Sequence, residues 1–331
     1  MLSKAPRGTK DITPKDVYKW HYVEKKFREI CALYGYEEIR TPIFEHTEVF
    51  ARSVGDTTDV VQKEMYSFTD RGDRQLSLKP EGTAGVIRSF IENKMYADTQ
   101  PTKLYYITPC FRYERPQAGR QRQFHQFGIE VLGSDGPSVD AEVISLAVQF
   151  FNEMGLKNLS VNINSVGCPT CREEYNRKLK EYLDKKVDVL CETCLERKDK
   201  NPMRVIDCKN PHCKENLQDI PFMIDHLCED CKDHFDKLQT YLKEMDINYV
   251  VDKTIVRGLD YYKKTAFEII SNDIGSQSTV CGGGRYDGLV EMLGGPKGIS
   301  GIGFALGAER LLLTLENNNI EIENPKSTDI Y

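Results

Sequence analysis

FRYERPQAGRQRQFHQFGIEV, residues Phe111 to Val131, sets Arg112, Arg115, Arg120 and Arg122 against one acid, Glu114, and then alternates to Gln126 and Glu130. Two apolar-rich arms, Leu104 to Glu114 and Phe124 to Leu132, flank a turn at Pro116 and Gly119, which predicts an antiparallel hairpin with an arginine-loaded loop. Guanidinium forks match phosphate oxygens in pairs, so this loop suits a polyphosphate, a nucleic-acid backbone or both.

Upstream of the hairpin, QLSLKPEGTAGVIRSFIE reads as a strand, a turn at Pro80-Glu81-Gly82 and a helix, with Glu81 and Thr83 at the helix mouth. A first helix is expected from a Thr13 cap and Pro14, through Trp20, Val23, Phe27, Ile30 and Tyr34, to a stop at Gly35. EEIRTPIFEHTEVF reads as a strand that enters a loop at Pro42, near a sheet edge or an interface. Downstream, a helix runs from about Ser138 to Gly155, and strand-like text returns after Asn248 as YVVD, TAFEIIS and STVCGGG. A glycine-rich run from Gly294 to Gly303 leads into GFALGAERLLLTL, read as an apolar helix. Hairpins outnumber βαβ units, so the predicted fold class is α+β: a mainly antiparallel sheet flanked by helices.

With 331 residues, 40% of them hydrophobic, the chain can bury a substantial core and is expected to hold about two domains. Its net charge of −6 supplies no global basic field, so any RNA contact must come from local patches. No apolar run approaches the roughly 20 residues of a membrane span, and the start MLSKAPRGTKD has no signal-peptide core, so a cytoplasmic protein with no membrane partner is expected. Eight of the eleven cysteines crowd between Cys168 and Cys231, within mainly helical text. They are Cys168-x-x-Cys171, Cys191-x-x-Cys194, Cys208, Cys213 and Cys228-x-x-Cys231. Two all-thiolate zinc sites fit that spacing, with His212 and His226 as substitute ligands; small apolar thiols packed beside helices are the other reading. Residues 168 to 240 carry 14 Lys/Arg against 16 Asp/Glu, so this stretch is no basic RNA clamp.

Four segments then line up: PEGT (Pro80 to Thr83), the arginine hairpin, VRGLDYY (Val256 to Tyr262), and GGGRYDGL (Gly282 to Leu289) with GIGFALGAERLLL after it. In this order they resemble the catalytic core of the histidyl-tRNA synthetases, a class II aminoacyl-tRNA synthetase family, from residue 1 to about 320. The resemblance implies a class II fold and a histidine-tRNA ligase. Such an enzyme activates L-histidine with ATP and Mg2+ to histidyl-adenylate and pyrophosphate, then transfers histidyl to the 3′ end of tRNA(His). It also implies a homodimer, since the Pro42 segment resembles the class II dimer motif.

By the same resemblance, Arg112 meets the α-phosphate and the histidine carboxylate, and Arg257 lies at the scissile phosphoryl group and the amino acid. Glu81, Thr83 and Gln126 hold the α-amino group. Glu130 and Tyr262 reach the imidazole, with Tyr261 beside them. Glu114, Arg120 and Arg310 join Arg112 on ATP, Arg310 near the γ-phosphate or the base. Arg115 and Gln117, next to Arg120, occupy the loop that reaches the tRNA acceptor end. Attack of a carboxylate on a phosphorus piles charge on phosphoryl oxygens, which positioned arginines stabilise. A site that hydrogen-bonds its substrate rejects ligands that leave its buried groups unpaired. Gly282 to Gly284 and Arg285 are expected to form a loop that approaches a ligand, with Tyr286 and Asp287 turning the chain.

The expected organisation is a core in two parts, 1–165 and 241–322, around a Cys-rich insertion, 166–240. Residues 323–331 form a linker and, at Asp329-Ile330-Tyr331, the start of a strand. That strand would open the anticodon-binding domain that the resemblance implies and the sequence does not reach. The rival reading is the non-catalytic, histidine-sensing regulatory subunit of ATP phosphoribosyltransferase, which needs only the histidine pocket. A zinc-dependent nucleic-acid-binding module is a third. The joint presence of Arg112, Arg257 and Arg310 favours the ligase.

Overall fold

The structure is a computed structural model that describes residues 4–55, 58, 60–259, 261–271 and 279–325. Its strands are β1 (Glu37–Glu38), β2 (Phe44–His46), β3 (Ser67–Thr69), β4 (Gln75–Leu78), β5 (Thr102–Phe111), β6 (Gln123–Leu132), β7 (Leu159–Ser165), β8 (Tyr249–Val251), β9 (Lys263–Ser271), β10 (Thr279–Arg285) and β11 (Gly301–Gly307). The helices are α1 (Val17–Leu33), α2 (Thr47–Val54), α3 (Thr83–Glu92), α4 (Pro137–Glu153), α5 (Pro169–Asp184), α6 (Glu192–Lys200), α7 (Pro211–Asn216), α8 (Glu229–Glu244), α9 (Leu289–Met292) and α10 (Ala308–Asn317).

Among the described residues one sheet runs β1-β5-β6-β11-β10-β9-β7-β8, and a smaller one runs β2-β4-β3. The large sheet is antiparallel except at its two outermost pairs, β1–β5 and β7–β8. The hairpin read from the sequence supplies its second and third strands: β5 and β6 pair from Thr102↔Leu132 to Phe111↔Gln123. Strand periodicity then divides the side chains. Phe127, Ile129 and Val131 of β6 join Trp20, Val23 and Phe27 of α1, Phe150 of α4, Leu238 of α8 and Leu311 of α10 in one buried cluster. Phe27 sits at its middle, 5.2 Å from the Phe127 ring and 5.3 Å from that of Phe150. Each such fully buried aromatic contributes about 2–3 kcal/mol of transfer free energy. Gln126, Gly128 and Glu130 face the other way, toward a cleft that the start of α3 and Arg204 of the insertion help to line.

Beneath the sheet, the carboxylate of Asp140 in α4 receives Arg285 Nε (3.1 Å), His234 Nε2 (2.8 Å) and the Thr265 hydroxyl (2.5 Å), all buried. Arg285 also donates to the Ser134 carbonyl at 2.9 Å. One polar knot therefore ties α4, α8, β9 and β10 together.

Several expectations are corrected. Beyond Pro42 the expected loop is instead a short strand, β2, and then α2, which TEVF begins with Phe50 and Val54 buried on one face. GIGFALG is β11, the strand between β6 and β10, and the helix begins only at Ala308. A run this rich in glycine and apolar residues has no periodicity that separates helix from buried strand. Gly282 to Arg285 lie in β10, not in a loop, and Arg285 points away from the cleft into the Asp140 knot. α1 starts at Val17, one turn beyond Pro14, because Thr13 closes a turn through its carbonyl (2.9 Å to both Asp16 N and Val17 N) and does not cap. LSVNINS forms β7, which sequence reasoning passed over. The strand expected at 329–331 lies outside the described residues.

Candidate active site

The cleft holds a cavity of about 420 Å³, lined among others by Glu81, Thr83, Arg112, Glu114, Arg120, Gln126, Glu130, Arg257, Tyr261, Tyr262 and Arg310. Eleven side chains singled out from four separate segments thus meet at one place. Arg115 and Gln117 do not line it; both are exposed on the hairpin loop, which closes through the Gln117–Arg120 bridge.

At its inner end stand two buried carboxylates. Glu81 accepts from the backbone N–H groups of Thr83 (2.7 Å) and Ala84 (2.8 Å), so it sits at the positive end of α3. Gln126 accepts from Gly82 N at 2.8 Å and fixes the same turn. Burial raises the Glu81 carboxyl above its ordinary value and pushes Glu130 up to about 8. Glu130 accepts from Tyr286 Oη (2.5 Å) and Tyr106 Oη (3.3 Å). The ring of Tyr106 fills a slot that only glycine permits: a Cβ on Gly82 or Gly128 would stand 2.3 Å from it. The Tyr261 ring packs against those of Tyr262 and Tyr286, with centroids 4.6 and 5.7 Å away. Tyr106, Tyr286 and the two glycines are site residues that sequence reasoning missed. Tyr286, expected to turn the chain, is a hydrogen-bond partner of Glu130.

At the outer end are the cations. Arg112 Nε donates to the Pro80 carbonyl (2.8 Å), and its guanidinium lies 5.5 Å from the Phe124 ring. Arg120 pairs with Glu114 at 2.8 Å. Arg310 donates to the Thr279 carbonyl (2.6 Å), and burial lowers its pKa from the ordinary guanidinium value. Arg257 donates to Glu268 (2.6 Å) and lies over the Tyr262 ring at 5.4 Å. It rests on β10 because Gly282 has no side chain; a Cβ there would stand 2.5 Å from the guanidinium. Four arginines therefore face a space whose far wall is anionic. That polarity suits a zwitterion joined to a polyphosphate.

The insertion contributes as well. Arg204, from the turn Pro202–Val205, lines the cavity and donates to the Gly258 carbonyl at 2.9 Å. Arg172 of α5 donates to the Tyr262 carbonyl and, at 3.0 Å, to that of Val166. The eight cysteines collect into two quartets, Cys168/Cys171/Cys228/Cys231 and Cys191/Cys194/Cys208/Cys213. His212 and His226 belong to neither.

The profile of the histidyl-tRNA synthetase family matches residues 8–311. Over all 331 residues the chain is 82% identical to the histidine–tRNA ligase of Clostridioides difficile (strain 630), spanning 79% of that protein. It is 59% identical over the same span to the histidine–tRNA ligase of Caldanaerobacter subterraneus subsp. tengcongensis, again 79% of its length. The crystal structure of apo S. aureus histidyl-tRNA synthetase superposes with a TM-score of 0.79 at 44% identity, covering 97% of this chain and 75% of that one. A Bacillus halodurans protein described as an ATP phosphoribosyltransferase regulatory subunit/histidyl-tRNA synthetase shares the fold at 23% identity, with a TM-score of 0.68 over 96% of this chain and 83% of that one. The clustering of the motif residues around one cleft and these likenesses along the whole chain agree: the protein belongs to the histidyl-tRNA synthetase family.

Proposed function

We propose that the chain is a histidine–tRNA ligase whose cleft forms histidyl-adenylate and then charges tRNA(His). The observation that carries this reading is the placement of Arg112, Arg257 and Arg310 around one cavity with Glu81 and Glu130 at its closed end. Glu81, Thr83 and Gln126 receive the α-ammonium of histidine. Glu130, held by Tyr106 and Tyr286, meets an imidazole nitrogen, and Tyr261 and Tyr262 wall the ring. Arg112 and Arg257 grip the amino-acid carboxylate and the α-phosphate. A carboxylate oxygen attacks the α-phosphorus, the bond to the β-phosphate oxygen breaks, and pyrophosphate leaves past Arg120 and Arg310. The arginines oppose the charge that builds on the phosphoryl oxygens, so no covalent enzyme intermediate is required. The terminal ribose hydroxyl of tRNA then attacks the acyl carbon and AMP departs. A subunit that only senses histidine has no use for the outer arginines.

Mg2+ takes oxygen ligands, one or two carboxylates together with phosphates. Glu114 and Glu309, both on the cavity wall, fit that donor set and would hold the ion. When bound, it neutralises phosphate charge. The cysteine quartets fit structural zinc, since each supplies four ligands and leaves no open position. Arg115 and Gln117, exposed on the hairpin loop, are placed to meet the tRNA acceptor end. The homodimer uses the small sheet, where Ile43, Phe44 and Phe68 stand 45%, 51% and 43% exposed. Among the described residues no helix is long and apolar enough to cross a membrane, and we assign the enzyme to the cytoplasm, with its tRNA.

The test is ATP–pyrophosphate exchange with each of the twenty amino acids. Exchange with histidine alone is expected, and Arg257→Ala should lower its kcat by about two to three orders of magnitude while histidine still binds. Histidine binding with no exchange in the parent protein would return the reading to a sensing subunit.

A further inference from the structure

The two cysteine quartets are nested along the chain, one inside the other. Cys168, Cys171, Cys228 and Cys231 close the ends of the insertion, and Cys191, Cys194, Cys208 and Cys213 close the segment between them. Within each quartet all four sulfurs lie within 4.8 Å of one another. Cys168 is 3.6 Å from Cys171 and 3.8 Å from Cys228, and Cys191 is 3.8 Å from Cys208. A tetrahedron whose corners lie about 2.3 Å from its centre, the zinc–sulfur length, has edges of about 3.8 Å. A disulfide needs sulfurs about 2.05 Å apart. Backbone N–H groups also point at the sulfurs, Cys191 to Cys213 and Cys228 to Cys171, each at 3.1 Å, as a site rich in thiolate charge requires.

Each quartet carries an arginine that grips the backbone of the catalytic segment. Arg172 follows Cys171 directly and donates to the Tyr262 carbonyl. Arg204 lies between Cys194 and Cys208 and donates to the Gly258 carbonyl, while Arg197 of α6 supports the Arg204 carbonyl at 3.4 Å. Between those two grasped carbonyls the chain carries Tyr261, and Arg257 immediately precedes Gly258.

We propose that each quartet binds one zinc ion and that the two metal-clasped knuckles form a bracket for the catalytic loop, with Arg172 and Arg204 as positioning residues that hold Arg257 over Gly282. The proposal rests on the ligase reading of the cavity. The insertion is charge-rich and packs an apolar cluster through Tyr175, Leu179, Leu183 and Met223, and the metals add cohesion around it. The bracket turns that cohesion into alignment of one guanidinium.

Elemental analysis of the purified, reduced chain should give two zinc ions. Exchange into Co2+ should give the absorption of two tetrahedral tetrathiolate centres. Replacing all four outer cysteines (Cys168→Ser, Cys171→Ser, Cys228→Ser, Cys231→Ser) should leave one ion, and so should replacing the four inner ones. If neither variant keeps an ion, the sulfurs pair in sequence order and the nested assignment falls. A parent chain that binds neither Zn2+ nor Co2+ overturns the proposal outright. For the bracket, Arg204→Ala should keep both ions yet lower the kcat of histidine-dependent exchange by about a hundredfold, the cost of a displacement near 1 Å, with a much smaller change in histidine KM. Arg204→Lys should recover part of the loss, because an ammonium can still reach the Gly258 carbonyl. A purely structural Arg204 would lower the melting temperature and leave kcat per folded molecule unchanged, which would refute the bracket. Absence of exchange in the parent chain would count against the ligase reading instead.

Discussion

Glu130 concentrates the chemistry of the inner pocket in one carboxyl. Burial lifts it from an ordinary value near 4.5 to about 8, so over that interval the folded protein holds a proton that the unfolded chain has released. The stability that Glu130 contributes is therefore fullest below pH 4.5, falls as pH rises toward 8 and then levels. The whole drop is on the order of 5 kcal/mol. Glu130→Gln should flatten this dependence, as measured by denaturant unfolding of the apo protein at pH 5 and pH 8.5. An unchanged slope would mean that the carboxyl titrates normally. Both neighbours that hold it, Tyr106 and Tyr286, donate from other elements. Contacts made across such distances in the chain leave no local mark, so an alternating strand in the sequence disclosed Glu130 but not its partners.

At the scale of elements, the slot between α3 and β6 depends on two missing side chains. Gly128→Ala would force the Tyr106 ring aside, costing about 1–3 kcal/mol by overpacking and drawing its hydroxyl away from Glu130. The expected result is a lower urea midpoint together with a higher histidine KM; loss of stability with KM intact would show that the slot serves packing alone. The hairpin β5–β6, the Pro80 turn and the opening of α3 were legible because turn residues and period-two alternation act locally. β11 was not, since GIGFALG gives helix and strand equal claims and only pairing with β6 and β10 decides between them. The polar alternation of LSVNINS hid β7 for a related reason: Asn162 and Asn164 find their partners near Asp252 and Ile255, far along the chain. Arg172 and Arg204 were invisible as site residues because the insertion folds back on a loop that the sequence places more than fifty residues away.

Across the whole molecule, the Asp140 knot joins the first part of the core to the last. Arg285→Ala would leave a buried carboxylate without its guanidinium, and unfolding free energy should fall by about 3–5 kcal/mol in denaturant titrations. A loss below about 1 kcal/mol would mean that His234 and Thr265 suffice. The small sheet faces outward instead. Phe44→Ser combined with Phe68→Ser should convert a dimer to a monomer in sedimentation velocity, with the fold retained by circular dichroism. A parent protein that already sediments as a monomer would remove that face as the interface.

The register that sets Glu130 of β6 opposite Gly303 of β11 joins residues about 170 positions apart. A ribosome adding about 5–20 residues per second needs roughly 10–35 s to cover that interval. For that time the nascent chain displays β6 with one edge open and half a pocket. It can neither shut out nor capture histidine. The amino-acid site can therefore close only after Gly303 has been made, since β11 pairs with β6 on one side and β10 on the other.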